Sequence, residues 1–150
     1  MHVIEAARKQ PVTIEADHTV TEAAEVMDRA AVGSLVVVEP DGRPVGIVTD
    51  RDLVVRALAH RCDPDARVDS AMSTDLVTMP PDADLRDALK LFEDHPIRRL
   101  PLVDGDRLVG MVTMDDLVVN LASDLGRLTR PILGQVLFGH AEAAAPATTS

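Results

Sequence analysis

Short apolar blocks punctuated by turn residues run along this chain, and the order of the blocks is written twice. A short helix is predicted within residues 2–10, with Val3, Ile4 and Ala7 on one side and Pro11 as its stop. Val12-Thr13-Ile14 reads as a short strand. Thr19-Val20-Thr21-Glu22 is a capping box, and behind it Val20, Ala23, Ala24 and Met27 fall at helical spacing. Leu35-Val36-Val37-Val38 is a β-branched run too short for a helix. Pro40-Asp41-Gly42 supplies turn chemistry and Val45-Gly46-Ile47-Val48 the return strand. A helix through Leu53, Val54, Ala57 and Leu58 follows, broken at Cys62-Asp63-Pro64-Asp65.

The second half repeats this order. Val77-Thr78-Met79 predicts a strand, and Asp84 caps a helix carrying Leu85, Ala88, Leu89 and Phe92. Leu100-Pro101-Leu102-Val103, the turn Asp104-Gly105-Asp106 and Leu108-Val109-Gly110-Met111-Val112 form a hairpin, and a helix through Leu117, Val118 and Leu121 closes the unit. The offset is 65 residues from Val12→Val77 through Val38→Val103, then 64, because the second turn is one residue shorter. Such regularity fits a duplicated β-α-β-β-α unit. One unit cannot cover both faces of its small sheet, so two are expected to pack together in a mixed α/β (α+β) fold with pseudo-twofold symmetry. The expected domains are 1–64 and 65–122. A helical extension over 123–140 follows, in which Ile132, Leu133, Val136, Leu137 and Phe138, after Pro131, form a short helix against the body or a partner chain. The Ala/Thr/Pro-rich stretch 141–150 is expected to be disordered.

Composition narrows the function. With 25 acidic against 15 basic residues, a net charge of −10, no Trp or Tyr and only two Phe, the chain lacks the basic grooves and stacking platforms of nucleic-acid binding, and an anionic membrane surface would repel it. Cys62 is the single cysteine, so no intrachain disulfide forms. Without a signal-peptide pattern or a long apolar run, a cytoplasmic protein is expected.

The chemistry concentrates in two octets. Gly-Ile-Val-Thr-Asp-Arg-Asp-Leu at 46–53 and Gly-Met-Val-Thr-Met-Asp-Asp-Leu at 110–117 share five positions, and each carries a strand straight into a helix N-terminus. Thr49 with Asp52, and Thr113 with Asp116, are capping boxes on a structural reading. On a functional reading, the Thr hydroxyl and free N–H groups suit a phosphate, and the acceptor-only Asp suits the vicinal hydroxyls of a ribose. The Gly at minus three permits close backbone approach. The five histidines show no metal-ligand spacing, no metal site is expected, and no base or nucleophile accompanies the carboxylates.

The octets, the 65-residue duplication and the β-α-β-β-α order resemble a pair of cystathionine β-synthase (CBS) domains over roughly residues 5–122. The resemblance implies two clefts between the repeats, dimerisation, and regulatory binding of an adenosine-containing ligand such as AMP, ADP, ATP, S-adenosylmethionine or a nicotinamide dinucleotide, with no other cofactor. Carried over, one cleft uses Thr113, Asp116 and Arg99 toward ribose and phosphate, with Arg98 beside them, and Val12, Val32 and Gly33 around the base. The other uses Thr49, Asp52 and Arg51, with Val77 and Ile97 around the base and Ser73 adding a hydroxyl. Arg99 corresponds to Ser34, so Ser34 is assigned to the cleft of Arg51, and the two clefts are expected to differ in affinity. The resulting expectation is a non-catalytic adenine-nucleotide sensor acting through an unidentified effector protein. The alternatives are a ligand-free dimerisation module and, third, an enzyme that turns the nucleotide over.

Overall fold

The computed structural model describes residues 1–138. Helix α1 (Val3–Ala6) leads into β1 (Thr13–Glu15), α2 (Val20–Ala30), β2 (Ser34–Val38) and β3 (Pro44–Thr49). Helix α3 (Asp50–Asp52) continues directly as a π-helical stretch, Leu53–Leu58. A 3₁₀ turn (Val68–Ser70), α4 (Leu85–Asp94), β4 (Arg99–Asp104), β5 (Arg107–Thr113) and α5 (Met114–Phe138) complete the described chain. In the first sheet β1 lies parallel to β2, and β2 antiparallel to β3. The second sheet is the hairpin β4–β5. Both hairpins carry an irregularity at the same place, Val37/Val38 and Leu102/Val103, and both turns hold a left-handed glycine, Gly42 and Gly105.

The predicted strand at 77–79 does not form, although its central residue holds the right place. Met79 N donates to Pro101 O at 3.2 Å, and Val103 N donates to Met79 O at 2.9 Å. In the first repeat two further bonds extend the pairing, Val36 N to Val12 O and Ala16 N to Val38 O, both at 3.0 Å. Shifted by 65, their donors are Pro101 and Pro81, which have no N–H. The ladder therefore shrinks to a single bridge, Met79 to Leu102.

Helix α5 also departs from expectation. It runs through Pro131 as one element instead of stopping and restarting. An interior proline removes one i→i−4 bond, here to the carbonyl of residue 127, which weakens a helix without forbidding it. Leu125, Leu128, Ile132, Leu133, Val136 and Leu137 are all exposed, so this segment does not pack against the described body. The expected tail at 141–150, with residues 139 and 140, lies outside the described residues.

Two apolar cores correspond residue by residue. One contains Ile14, Ala23, Met27, Leu35, Val37 and Val48; the other contains their counterparts Met79, Ala88, Phe92, Leu100, Leu102 and Val112. The leading segments are exchanged. Val3 and Ala6 belong to the second core, while Val68 and Ala71, 65 residues on, belong to the first. Backbone bonds seal both exchanges. Val3 N donates to Ala83 O (2.8 Å) and Leu85 N to Met1 O (3.1 Å); equivalently, Val68 N donates to His18 O (2.7 Å) and Val20 N to Ala66 O (2.8 Å). The duplication thus begins at Val3→Val68, earlier than strand patterning shows. The boundary near residue 64 divides the sequence repeats but not the cores.

Candidate functional site

Each octet ends a strand and starts a helix, and in both the hydroxyl and the carboxylate close a reciprocal cap. Thr49 Oγ1 accepts from Asp52 N at 3.1 Å, and Asp52 Oδ2 accepts from Thr49 N at 2.9 Å. Thr113 and Asp116 repeat the pattern at the same two distances. The capping reading therefore holds for both pairs, and it occupies one carboxylate oxygen of each Asp. The octet glycines serve packing. A Cβ on Gly46 would sit 2.7 Å from Ser73 O, because the 71–73 segment lies along β3, with Ile47 N donating to Ser73 O and Ser73 N to Ile47 O. A Cβ on Gly110 would sit 2.7 Å from Ile4 Cδ1 of α1. The close approach the glycines permit is made by the exchanged leaders.

The second carboxylate oxygen separates the two boxes. Asp52 Oδ1 has Arg56 Nε at 3.8 Å, and Arg56 also donates to Met72 O at 3.0 Å. The residue equivalent to Arg56 is Asn120, which donates to the backbone carbonyl of Asp116 at 2.8 Å and leaves the carboxylate alone. Asp116 Oδ1 has no protein hydrogen-bond partner among the described residues, although the residue is only 9% exposed.

That carboxylate faces a cleft of about 560 Å³ between the repeats. Six of the anticipated residues line it together: Val12, Val32, Gly33, Arg99, Thr113 and Asp116. Asp115, the counterpart of Arg51 in the second octet, lines it too, while sequence reasoning missed Arg8, Lys9, Gln10 and Met111 as wall residues. Arg8 sits at the position equivalent to Ser73, so the 65-residue offset was the available signal. Ser34 also lines this cleft, beside Arg99, which corrects its assignment to the other one. The residues beginning β2 and β4 border one cleft instead of serving two. Three cations, Arg8, Lys9 and Arg99, thus meet two carboxylates, Asp115 and Asp116, in a chain that is acidic overall.

Arg98 stands outside the cleft wall and is exposed; its carbonyl accepts from Met114 N at 3.0 Å. Thr49, Arg51, Asp52, Ser73, Val77 and Ile97 line neither this cleft nor two other hollows, one beside Pro80 and Pro81 and an apolar one between α2 and the π-helical stretch. Arg51 is exposed, with its N–H donating to Asp50 Oδ1 at 2.8 Å. Among the described residues Glu15, Asp17 and His18 bring three potential metal ligands together at the surface, but His18 Nδ1 lies 2.6 Å from Glu22 Oε2.

Two α/β repeats with exchanged leaders and a polar cleft at their junction define a tandem module of the regulatory, ligand-binding class. The chain belongs to the CBS domain family, whose model matches residues 3–58 and 68–123. It is similar to the CBS domain-containing protein YhcV of Bacillus subtilis, with 43% identity over 77% of this chain and 81% of that one. Similarity to hypoxic response protein 1 of Mycobacterium tuberculosis is 34% over 73% and 78%. A crystal structure of Hypoxic Response Protein I with two coordinated zinc ions superposes with a TM-score of 0.71 at 28% identity, covering 79% of this chain and 98% of that one. These relatives are of single-pair size, as this chain is.

Proposed function

We propose that the protein is a non-catalytic cytoplasmic sensor. It binds one adenosine-containing nucleotide in the cleft of Thr113 and Asp116 and works as a homodimer that signals to an effector protein. The observation that carries this reading is the inequality of the two acidic boxes. Asp116 keeps an acceptor oxygen without a cation and faces a cleft holding Arg8, Lys9 and Arg99. A carboxylate so held accepts from ribose hydroxyls, and the three cations favour the phosphates. The cleft volume falls within the range of small-molecule sites, roughly 300–1,000 Å³. Val12 and Val32 offer apolar contact to the base. Thr49 and Asp52, with Arg56 drawn toward the carboxylate, act as a structural cap. Signalling then requires the nucleotide to bind two states of the module unequally.

Calorimetry with AMP, ADP, ATP, S-adenosylmethionine and NAD tests the proposal on wild type and Asp116→Asn. The amide oxygen can still accept from Thr113 N, so the substitution preserves the cap while replacing the free acceptor by a donor. Binding by wild type that is lost in the variant supports the proposal. Absence of binding by any of the five leaves a ligand-free dimerisation module, a reading favoured by the closed caps in both boxes. Consumption of ligand would indicate an enzyme.

A further inference from the structure

The two exchanged leaders end differently. The second lies flat along β3, where Ile47 N donates to Ser73 O at 3.0 Å and Ser73 N to Ile47 O at 2.8 Å. Arg56 Nη1 fastens it there, donating to Met72 O at 3.0 Å and reaching Ala71 O at 3.5 Å. The equivalent residues in the first leader and β5 are Arg8 and Met111, and among the described residues no backbone hydrogen bond joins them. Met111 pairs with Pro101 in the register where Ile47 pairs with Val36. Its N–H and C=O therefore face the outer edge of the sheet, as those of Ile47 do. Asn120, in the place of Arg56, is shorter and reaches only Ala6 O, the counterpart of Ala71 O, at 3.5 Å. At Gly110 the groove holds the tip of Ile4, whereas at Gly46 it holds Met72 and the backbone of Ser73.

The cleft lies where this pairing is unmade. Arg8 and Met111 both line it, while Ser73, Thr49 and Asp52, beside the completed pairing, line none of the hollows described above. We infer that the first leader is a strap with a second position, in which Arg8 pairs with Met111 as Ser73 pairs with Ile47 and the cleft of Asp116 is closed. Edge N–H and C=O groups are obligatory hydrogen-bonding groups, and the duplicated unit already holds the chain segment that satisfies them in its other copy. A ligand in the cleft occupies the space between the two residues and keeps the strap open. The strap is thereby the pair of states that unequal binding requires. It also runs from Ala6, buried in the second core, to β1 of the first sheet, so its position is felt by both repeats. The ligand's part in this rests on the nucleotide reading above, whereas the strap's two positions rest on the symmetry of the repeats.

Arg8→Cys/Met111→Cys in a Cys62→Ser background tests the strap on the full chain. A reciprocally bonded antiparallel pair sets Cα atoms about 5.5 Å apart, within the span of a disulfide. Oxidation without ligand is expected to cross-link the pair within one chain and to slow amide exchange at positions 8 and 111 at least tenfold against the reduced form. Calorimetry with AMP, ADP, ATP, S-adenosylmethionine and NAD then compares the two forms of the same variant, which cancels the effect of the substitutions themselves. Locking the closed position removes the binding-competent fraction, so affinity should fall at least tenfold on oxidation and return on reduction. A pair that does not cross-link overturns the strap. So does a cross-linked form whose amides exchange as before, or one that binds as tightly as the reduced form. Should wild type bind none of the five, the nucleotide reading fails, and cross-linking with slowed exchange still decides for the strap or against it.

Discussion

Arg56 Nε lies 3.8 Å from Asp52 Oδ1, and the residue that occupies the position of Arg56 beside Asp116 is Asn120. Two acidic boxes with equal capping distances are thereby given different free valences. An Arg beyond hydrogen-bond distance of one carboxylate offsets its charge within the protein; an Asn that turns to the backbone leaves the other facing the cleft with no such cation on its own helix. Asp52→Asn is therefore expected to leave affinity for the nucleotide within twofold of wild type, while Asp116→Asn weakens it at least tenfold, about 1.4 kcal/mol. Titration calorimetry on the two variants in parallel measures the difference.

The hydroxyl caps give a second expectation. Thr49→Ala and Thr113→Ala each remove the acceptor of an amide at a helix start, which costs about 1 kcal/mol. Urea denaturation should show similar losses for both. Only Thr113→Ala should also alter ligand binding.

Glycines 46 and 110 occupy equivalent places but face different neighbours. At Gly46 an added methyl meets the backbone oxygen of Ser73, which cannot step aside without opening the pairing of Ser73 with Ile47. At Gly110 it meets the mobile end of Ile4. Gly46→Ala should cost about 1–3 kcal/mol, the range for overpacking, and Gly110→Ala about 1 kcal/mol or less. Denaturant midpoints compare them directly.

Acid sensitivity should arise in part at α4. The Asp84 carboxyl is held below the usual range, first by the hydrogen bond from Arg86 N, with the N-terminal ammonium, Arg86 and His2 adding to it. A carboxylate whose folded value is depressed contributes stability that is complete above its unfolded pKa, about 3.9, and is lost as pH falls through the folded value. Asp84→Asn retains an oxygen for the cap but removes the proton dependence. Its melting temperature should fall less steeply than that of wild type below about pH 4.

The repeat, its helices and the octets were legible because each rests on spacing: period, cap and turn residues in a constant offset. The offset also overreached. It predicted a strand at 77–79 by analogy with 12–14, while Pro81 and Pro101 had already removed the donors that pairing needed. Six residues of the cleft were reachable through the family resemblance. Lys9 and Gln10 were not, since they lie between elements and have no periodicity to mark them, and Arg8 was marked only by its 65-residue offset from Ser73. Arg56 was invisible as a neutralising partner because its approach to Asp52 depends on side-chain geometry one helical turn away. Ser34 was placed in the wrong cleft because correspondence between repeats was taken as correspondence between sites, whereas the pseudo-twofold brings both strand starts to one cleft.

The exchanged leaders also impose an order on synthesis. The first core is assembled entirely from residues 14–71, so it is complete once that contiguous stretch has emerged. The second needs Val3 and Ala6 together with residues up to Leu117, the beginning of the chain and almost the last of its repeats. During translation, therefore, one half can settle while the opening helix has no core to enter. That helix is secured only when β4, β5 and the start of α5 arrive. The cleft of Asp116, whose wall includes Arg8 and Lys9 just behind that helix, comes into existence at the same late moment.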